Sequence, residues 1–427
     1  MIIHVVQPGE TAYSIAEYYG ISIDWLIREN GIEDPLKPVV GNTYVILFPE
    51  ETYVIQEGDT LESIANRFNV TMMDLLRNNT YLADQGSLVP GETLVIRYVD
   101  TKIGQIAING YAYSFINLTT LRKTLPFLTY LTIYSYDITQ GGILIEIEDT
   151  PIIQLAKQYG VAPIMLLKFQ DMVSMDVQNF MFRILTDIEI QEKFINDVLA
   201  VIERKGYMGL TFDTPYIYPA YREQYVTFVS ILTKRLRERD LIVFDGLSPT
   251  SFELVTGVIY SEKEIFDIST FVDGTVILTY ELARIQGVPT ASIDFNSKEE
   301  LLQSTLLPVL APEDIQLGIS TIGYRWELPF VAGVSVGNAI SNTGAVQVAR
   351  DFKIEVQYDY VAEVAYFVYE EAGREFLVLY MDARSMEAYL QLAHRNNING
   401  IAIWNIMEYF YDLWLLINGQ FDVVKVI

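Results

Sequence analysis

Two stretches of the chain repeat one another, and this internal repeat limits the folds open to the first hundred residues more than any other feature. Residues 4–30 align with residues 53–79 at a constant offset of 49 positions, and ten of the 27 aligned positions are identical. Each copy closes on the pattern Gly-x-Thr-x-Val-Ile, at residues 41–46 and 91–96. The segment therefore predicts two similar small domains, one after the other.

The residues of one copy predict a βααβ unit. Val5 and Gln7 alternate as in a short strand, and Gly9 supplies the turn that follows it. Thr11 stands where a helix N-cap is expected, so that its side chain can accept a hydrogen bond from a free backbone N–H group. Apolar residues then recur at helical spacing, a second helix follows, and the Gly-x-Thr-x-Val-Ile segment returns as a strand.

Residues 99–427 predict an α/β domain, because apolar runs alternate with helix-like segments as in a parallel sheet. The predicted strands lie near residues 106–113, 128–136, 162–169, 206–213, 241–247, 275–280, 317–324 and 400–405. Eight such strands in about 330 residues fit a (β/α)8 TIM barrel with one insertion. The α+β insertion is predicted at about 346–382, where antiparallel alternation surrounds an Ala372-Gly373 turn. The predicted domains are 1–49, 50–98 and 99–427.

The composition excludes several classes of function. A formal net charge of −26 repels phosphate backbones, and without a local basic patch it argues against nucleic-acid binding. There is no cysteine, and the two histidines, His4 and His394, are expected to have structural roles. Thiol chemistry and zinc sites built from Cys and His are therefore excluded, and neither a metal nor a cofactor is expected.

The chain is also expected to be soluble. No apolar run reaches the roughly 18–20 residues that a membrane span needs. The first ten residues, MIIHVVQPGE, have no basic region, no apolar core and no small-residue cleavage site. A cleaved signal peptide is therefore not expected.

The N-terminal repeat resembles the LysM domain, on the pattern Gly-(Asp/Glu)-Thr-x-x-x-Ile-Ala, which is present twice together with the closing strand. In that family the loop after the first strand and the loop after the second helix form a shallow groove for chains that contain N-acetylglucosamine. The resemblance places this groove at seven residues of the first copy and six of the second: Gly9, Glu10, Thr11, Ala12, Asn30, Gly31 and Ile32, then Gly58, Asp59, Thr60, Leu61, Asn79 and Thr80. Gly9 and Thr11 are explained equally well by turn and cap roles.

Side chains at the carboxyl ends of barrel strands form the mouth where the chemistry of this fold takes place. The ends of the predicted strands carry these candidates: Asp213, Tyr280, Glu281, Tyr324, Trp326 and Trp404. Carboxylates can bond sugar hydroxyls, and aromatic faces pack on the C–H faces of pyranose rings. The mouth is thus predicted to hold a sugar.

This part of the chain resembles glycoside hydrolase family 18, in particular the LysM-bearing spore-cortex and spore-germination N-acetylglucosaminidases. Their strand-four motif ends in Asp-x-Glu, followed by a loop with Pro and Arg-Glu. The chain reads GYMGLTFDTPYIYPAYREQY at residues 206–225, which aligns Asp213, Pro219 and Arg222-Glu223 without a gap. The family's glutamate then falls on Pro215. Two earlier motif positions, usually Asp and Asn or Asp, are Met208 and Thr211.

The resemblance implies a damaged catalytic site. Members of the family use substrate-assisted catalysis, in which the glutamic acid protonates the glycosidic oxygen and the acetamido carbonyl of the substrate attacks C1. By position, Asp213 would orient that acetamido group and Tyr280 would bond its oxygen. Further contacts with the substrate would come from Glu281, Tyr324, Trp326 and Trp404. Proline has no proton to give, so the sequence predicts a pseudoenzyme.

Three functions remain open from the sequence. The first is a non-catalytic protein of the spore envelope that binds peptidoglycan or another N-acetylglucosamine-containing glycan, with spore-coat proteins as further partners. The second is an active N-acetylglucosaminidase on spore-cortex peptidoglycan, in which a surrogate carboxylate such as Glu281 supplies the proton. The third is the docking of a partner protein on the barrel face. The expected location is the cortex or coat surface of the spore, with the cell wall or the cytoplasm as the alternatives.

Overall fold

The computed structural model describes residues 1–85, 87–139, 142–168, 182–213, 222–247, 267–278, 295–331, 334–398 and 400–427. Within these ranges, two small N-terminal domains are followed by a parallel barrel, and an antiparallel sheet is inserted before the last barrel strand. None of the helices described has the length and apolar character that a bilayer span requires.

Each N-terminal repeat folds as the predicted βααβ unit. The first consists of β1 (Ile2–Val5), α1 (Ala12–Tyr19), α2 (Ile23–Asn30) and β2 (Thr43–Ile46). The second consists of β3 (Pro49–Val54), α3 (Leu61–Phe68), α4 (Met72–Asn78), a 3-10 turn (Thr80–Asp84) and β4 (Thr93–Tyr98). In each repeat the two strands pair antiparallel and the apolar residues form a separate small core.

The threonine before the first helix of each repeat caps that helix, as predicted. Thr11 Oγ1 accepts a hydrogen bond from the Ser14 backbone N–H at 3.1 Å, and Ser14 Oγ accepts one from the Thr11 N–H at 3.0 Å. Thr60 and Ser63 form the same reciprocal pair at 3.0 and 2.9 Å. This capping box satisfies two backbone N–H donors at the start of the helix. The stability of the helix therefore explains why the threonine and the serine are identical in the two copies.

The remaining strands belong to the barrel and its insertion. In chain order they are β5 (Gly104–Tyr113), β6 (Tyr130–Ile138), β7 (Leu144–Ile145), β8 (Ala162–Lys168), β9 (Gly209–Asp213), β10 (Ile242–Leu247), β11 (Gly274–Ile277), β12 (Ile315–Ser320), β13 (Ile322–Leu328), β14 (Asn338–Ser341), β15 (Gln357–Asp359), β16 (Val364–Glu371), β17 (Arg374–Tyr380), β18 (Gly400–Trp404) and β19 (Phe421–Val423). The α-helices described in this part are α5 (Leu118–Thr124), α6 (Thr150–Gln158), α7 (Ile188–Lys205), α8 (Arg222–Arg237), α9 (Phe295–Leu301), α10 (Asn342–Phe352), α11 (Ala383–Arg395) and α12 (Tyr411–Gln420).

Eight of these strands close into a parallel barrel. The neighbours run β5, β6, β8, β9, β10, β11, β12 and β18, and β18 pairs with β5 to complete the ring. The (β/α)8 prediction is thereby confirmed. The barrel interior is filled by apolar side chains, among them Ile164, Leu166, Phe244, Val276 and Ala402.

The inserted antiparallel sheet is larger than the sequence predicts. Its strands lie in the order β14-β13-β17-β16-β15, so β13 and β14 already belong to it, upstream of the predicted start near 346. The run predicted as one barrel strand near 317–324 is in fact two strands that meet at Thr321. The Thr321 N–H still donates to the Trp404 carbonyl at 2.9 Å, and the chain then leaves the barrel. A break of one residue between two apolar strands is too short for a hydropathy pattern to show.

The N-terminal repeats pack closely on the rest of the protein. The Val356 N–H, just before β15, donates to the Val40 carbonyl at 2.9 Å. Thr43 Oγ1 donates to Asp412 Oδ2 at 3.1 Å, and Asn418 Nδ2 donates to Asn78 Oδ1 at 2.9 Å. Both repeats are therefore fixed to α12, the helix that follows the last barrel strand.

A buried carboxyl lies at this junction. Burial raises the pKa of Glu29 from the ordinary value of 4.5 to about 8, although the positive charges of Arg28 and Lys123 oppose the shift. The charge of Glu29 in turn helps to raise the pKa of Tyr98, in the second repeat, and of Tyr409, after β18, where burial is the larger cause. Glu29 therefore lies where both repeats meet the barrel.

This carboxyl predicts a pH-dependent stability. A group whose pKa is higher in the folded than in the unfolded protein stabilises the fold fully below its unfolded pKa, and this contribution is lost as the pH rises to the folded pKa. The free energy of unfolding should therefore fall between about pH 5 and pH 8, by up to about 1.4 kcal/mol per pH unit for each such group. Asp412, whose pKa burial raises to about 7, acts in the same direction.

Glu29→Gln should reduce the slope of this pH dependence, because the amide cannot titrate, and the contribution of Asp412 should remain. Urea denaturation at pH 5, 6.5 and 8 measures the slope, and Glu17→Gln, on the exposed surface of the same repeat, should leave it as in the wild type. A Glu29→Gln protein that kept the full wild-type slope would contradict the assignment.

Candidate functional site

Aromatic rings meet at the carboxyl end of the barrel. Trp404 is the last residue of β18, and its ring centroid lies 5.0 Å from that of Tyr134 in β6 and 6.0 Å from that of Tyr113 at the end of β5, both edge to face. Tyr111 packs at 5.9 Å. Trp404 is half-buried. Such a cluster presents apolar ring surface at the barrel mouth, which suits the C–H faces of a sugar.

Phe115 extends this cluster into solvent. Its ring stacks on Tyr113 at 5.3 Å with an interplanar angle of 20°, and it is 76% exposed. A large apolar ring that is exposed at the rim of the mouth and held flat by a second ring is typical of a platform for a ligand.

Phe115→Ala is expected to weaken the binding of N-acetylglucosamine oligomers about 2- to 12-fold, the range that a ring contact of about 0.5–1.5 kcal/mol gives. Isothermal titration calorimetry measures the affinity. Val426→Ala serves as the control, because Val426 is an exposed apolar residue beyond β19, at the opposite end of the barrel. Equal affinities for wild type and Phe115→Ala would show that the ring lies outside the ligand path.

Lys168 brings a positive charge to the same mouth. It ends β8, where Ile164 and Leu166 face the barrel interior, so the two-residue period of a strand directs Lys168 to the interior side as well. Its Nζ donates to the Tyr134 hydroxyl at 2.9 Å. The ammonium group therefore lies beside the aromatic cluster.

The predicted catalytic residues lie next to this group in the strand order. Asp213 is the last residue of β9, and its Cα is paired in register with that of Lys168 on β8 and that of Gly246 on β10. The side chain of Asp213, and all of Pro215, Tyr280 and Glu281, lie outside the described residues. The roles assigned to these four positions stay predictions.

Tyr324 and Trp326 are not at the end of a barrel strand. Both lie in β13 of the inserted sheet, since β12 ends at Ser320. Trp326 is only 2% exposed, and a Cβ on Gly337 would lie 2.6 Å from its indole. The packing of the inserted sheet accounts for Trp326, whereas Tyr324 is half-buried.

In the first repeat, the predicted groove residues divide between accessible and structural ones. Gly9 is exposed and Glu10 and Thr11 are partly exposed, whereas Ala12 and Ile32 are buried.

Polar side chains hold the two loops of that groove in place. The Glu10 carboxylate accepts hydrogen bonds from the Gln7 N–H at 2.7 Å and from His4 Nε2 at 2.9 Å. The Asn30 amide bridges to the backbone of Val45, accepting at 2.7 Å and donating at 3.1 Å. His4 therefore supports the first loop through Glu10, in keeping with the structural role predicted for it, and the Asn30 amide links α2 to β2.

The second repeat repeats this arrangement. Asp59 accepts hydrogen bonds from the Gln56 N–H at 2.7 Å and the Tyr53 hydroxyl at 2.8 Å, and these bonds lower the pKa of its carboxyl. Asn79 is 1% exposed and bridges to the backbone of Val95, while Thr80 is 6% exposed. The accessible groove positions of this copy are Gly58, Asp59, Thr60 and Leu61.

The segment that follows Trp404 touches both candidate grooves. Tyr409, in the loop before α12, shares a side-chain hydrogen bond with Thr80, and a Cβ on Gly31 would lie 2.5 Å from the ring of Tyr411, the first residue of α12. The segment at residues 405–411 therefore runs from the barrel mouth to the repeats.

Sequence reasoning missed Phe115, Tyr134 and Lys168. A signal was present, since Tyr134 and Lys168 both lie near the carboxyl ends of predicted strands and Phe115 follows one. Their convergence could not be read from the sequence, because it depends on the strand register. Among the described residues, no three acidic or histidine side chains are grouped as metal ligands would be.

Comparison with protein families gives two matches. The LysM domain matches residues 4–46 and 53–97, and the family of glycosyl hydrolases family 18 matches residues 168–408.

Individual relatives align along nearly the whole chain. The "Cortical fragment-lytic enzyme" of Bacillus anthracis is 29% identical and aligns with 98% of both chains. The enzyme of the same name from Bacillus subtilis (strain 168) is 28% identical over 88% of this chain and 99% of its own length.

Solved structures show the same domain order. The spore cortex-lytic enzyme SleL of Bacillus megaterium QM B1551 superposes with a TM-score of 0.79 at 25% identity, covering 100% of this chain and 99% of its own. SleL of Bacillus cereus gives a TM-score of 0.77 at 28% identity, covering 99% and 98%. The fold and the order of domains are thus shared from end to end.

Proposed function

Because the chain belongs to glycosyl hydrolase family 18 and carries two LysM domains ahead of its barrel, we propose that it binds N-acetylglucosamine-containing glycan, such as spore-cortex peptidoglycan, without cleaving it. The observation that carries the second half of this proposal is Pro215, which stands where the family has its proton-donating glutamate. The proposal that the protein binds this glycan rests on the two LysM repeats and on the aromatic cluster at the barrel mouth.

The LysM repeats support binding through two weak sites on one rigid body. The accessible groove loops of both copies carry Gly-(Asp/Glu)-Thr, and both repeats are fixed to the barrel. Two sites held at a fixed separation on one polymer gain affinity over either alone, because the second binding event is intramolecular.

The barrel supports binding and argues against cleavage. Trp404, Tyr113 and Phe115 give sugar-sized apolar faces, and Asp213 keeps the position of the acetamido-orienting carboxylate. A sugar alkoxide is a poor leaving group, and general acid catalysis contributes about 10²–10⁴-fold. A mouth that holds the acetamido group but lacks the acid should retain the ligand.

The full chain should therefore sediment with insoluble peptidoglycan and be released by soluble N-acetylglucosamine pentamer, because the oligomer competes for the same acetamido-reading grooves. Cellulose, which lacks the acetamido group, is the matched control polymer and should not retain the protein. Protein that stayed in the supernatant with peptidoglycan would refute the binding function.

The alternative is an active N-acetylglucosaminidase in which Glu281 or another carboxylate supplies the proton. It is favoured by the names of the relatives, which are called lytic enzymes and align over 88–98% of this chain. Release of reducing ends from cortex fragments separates the two functions.

We also propose the spore envelope as the location of the protein, with spore-coat proteins as its neighbours there. Recovery of the protein only from vegetative cytoplasm would contradict this proposal.

A further inference from the structure

The two repeats use the loop before their closing strand in different ways. This closing loop spans residues 31–40 in the first repeat and residues 80–90 in the second, where it is one residue longer. It forms one wall of the groove that the resemblance to the LysM domain predicts. Because both loops lead into the glycine of the closing motif, their last positions can be compared one by one, counted back from Gly41 and Gly91.

In the first repeat the end of the closing loop is buried against the inserted domain. Val39 is 6% exposed and belongs to the hydrophobic core of the inserted sheet. The Val40 carbonyl accepts the Val356 N–H, and a Cβ on Gly41 would lie 1.9 Å from the Val356 carbonyl oxygen. The Gly41 carbonyl accepts a hydrogen bond from Arg384 Nη2 at 3.1 Å. This loop is therefore part of the joint between the first repeat and the barrel domain.

In the second repeat the corresponding positions face solvent. Val89, which corresponds to Val39, is 46% exposed, and Pro90 is exposed as well. A Cβ on Gly91 would meet no described atom within 4 Å. The start of the closing loop contacts the segment at residues 405–411 in both repeats, so the difference between the copies lies at the end of the loop.

The start of the first helix shows a second difference between the copies. The Ala12 N–H donates across the groove to the Pro35 carbonyl at 2.8 Å, and Ala12 is fully buried. The corresponding N–H, that of Leu61, has no acceptor in the described part of the chain, and Leu61 is partly exposed. The two walls of the first groove are therefore bonded to one another, whereas the second groove lacks this bond.

The second groove also offers apolar surface to a ligand. Leu61 and Leu88, one from each wall, pack partly exposed on the core of this repeat, and Val89 continues this surface into solvent. Gly58 and Thr60, in the first loop, are exposed as well. Apolar side chains beside exposed polar groups suit an N-acetylated sugar, which carries an apolar methyl group next to its amide and hydroxyl groups.

We propose that the second repeat is the principal LysM site for chains that contain N-acetylglucosamine, and that the first repeat serves mainly as the joint that fixes the pair to the barrel domain. This inference rests on the proposed function and divides the LysM contribution unequally between the two grooves. The first copy retains Gly9 and Thr11 because they build the turn and the helix cap, a role that needs no glycan.

Two matched substitutions in the full-length protein test this assignment. Val89→Asp places a charge on the exposed end of the second closing loop. Leu36→Asp does the same in the first closing loop, where Leu36 is 65% exposed and follows Pro35. Since both side chains are exposed, the fold should tolerate either change, and thermal unfolding checks this. The probe is the N-acetylglucosamine pentamer.

Hydrogen–deuterium exchange over a series of pentamer concentrations measures binding at each repeat separately. In the wild type, protection should develop at residues 57–62 and 87–92 and be absent from residues 8–13 and 32–41. Val89→Asp should raise the apparent Kd at the second repeat about 3- to 12-fold, because covering a half-exposed valine contributes about half of the free energy of its full burial. Leu36→Asp should leave this Kd unchanged.

The wild-type protection pattern decides the assignment even if a variant does not fold. Equal protection of both repeats, or a loss with Leu36→Asp as large as the loss with Val89→Asp, would overturn it. Wild-type protein that sediments with peptidoglycan while the pentamer protects neither repeat would also overturn it and leave the proposed function standing. If the wild type binds neither the pentamer nor peptidoglycan, the proposed function itself fails.

Discussion

Pro215→Glu is expected to give the protein a glycosidase activity that the wild type lacks. The substitution supplies a carboxylic acid two residues after Asp213, at the spacing of the family motif, so the glycosidic oxygen can be protonated as the acetamido carbonyl attacks C1. The gain should be at least about 10²-fold over the wild-type background, since general acid catalysis is worth about 10²–10⁴-fold. Release of reducing ends from cortex fragments and chitooligosaccharides measures it.

Pro215→Gln is the matched control, because it has the shape of the glutamate and no proton to donate. Asp213→Ala should abolish the activity of the Pro215→Glu protein. Full activity can also require Met208→Asp and Thr211→Asn, and the second of these needs space, because Thr211 is 1% exposed. Wild-type turnover that survives Asp213→Ala and is lost in Glu281→Gln would establish the surrogate-carboxylate enzyme instead.

Asp149→Asn is expected to lower the free energy of unfolding by about 3–5 kcal/mol, the usual cost of breaking a buried ion pair by removing one partner. Asp149 is fully buried and accepts hydrogen bonds from Lys205 Nζ at 2.7 Å and from the hydroxyls of Tyr136 and Tyr207. These contacts tie the start of α6 to β6 and to the end of α7. The asparagine keeps an acceptor for the tyrosines but leaves the ammonium group without its counter-charge.

Urea denaturation measures this loss, and Asp197→Asn provides the comparison. Asp197 pairs with Lys193 at 2.6 Å on the exposed side of the same helix α7, where an ion pair contributes only about 0–1 kcal/mol. Two variants with equal losses would show that burial does not set the strength of the Asp149 contacts.

Much of the fold followed from local patterns. The repeat at offset 49 and the threonine caps predicted both βααβ units, because a helix start needs a side-chain acceptor at one position whatever surrounds it. The eight barrel strands were predicted within a few residues of their ends, since a strand that is buried on both faces must be apolar along its length. The insertion was misjudged at its start because Thr321 alone separates β12 from β13.

The candidate site was predictable only in part. Trp404 was predicted at the mouth and lies there, since it ends a barrel strand, whereas Asp213 ends its predicted strand and its role stays a prediction. Phe115 and Lys168 could not be predicted as site residues from the sequence. They belong to the site because Phe115 stacks on Tyr113 and Lys168 bonds Tyr134. Both contacts depend on the parallel register of β5, β6 and β8. Asn30 and Asn79 were predicted in the grooves, yet their amides bridge to the strand that closes each repeat.

The sequence by itself determined the two repeats and the barrel, since the pattern of each lies in residues that are near one another in the chain, and the prediction that the acid is lost at Pro215 rests on the sequence alone. Only the tertiary structure decided how the parts meet. The contact of Thr43 with Asp412, for example, joins residues 369 positions apart. Such contacts depend on the shape of surfaces that form after the local elements, and no local pattern of charge or hydropathy encodes them.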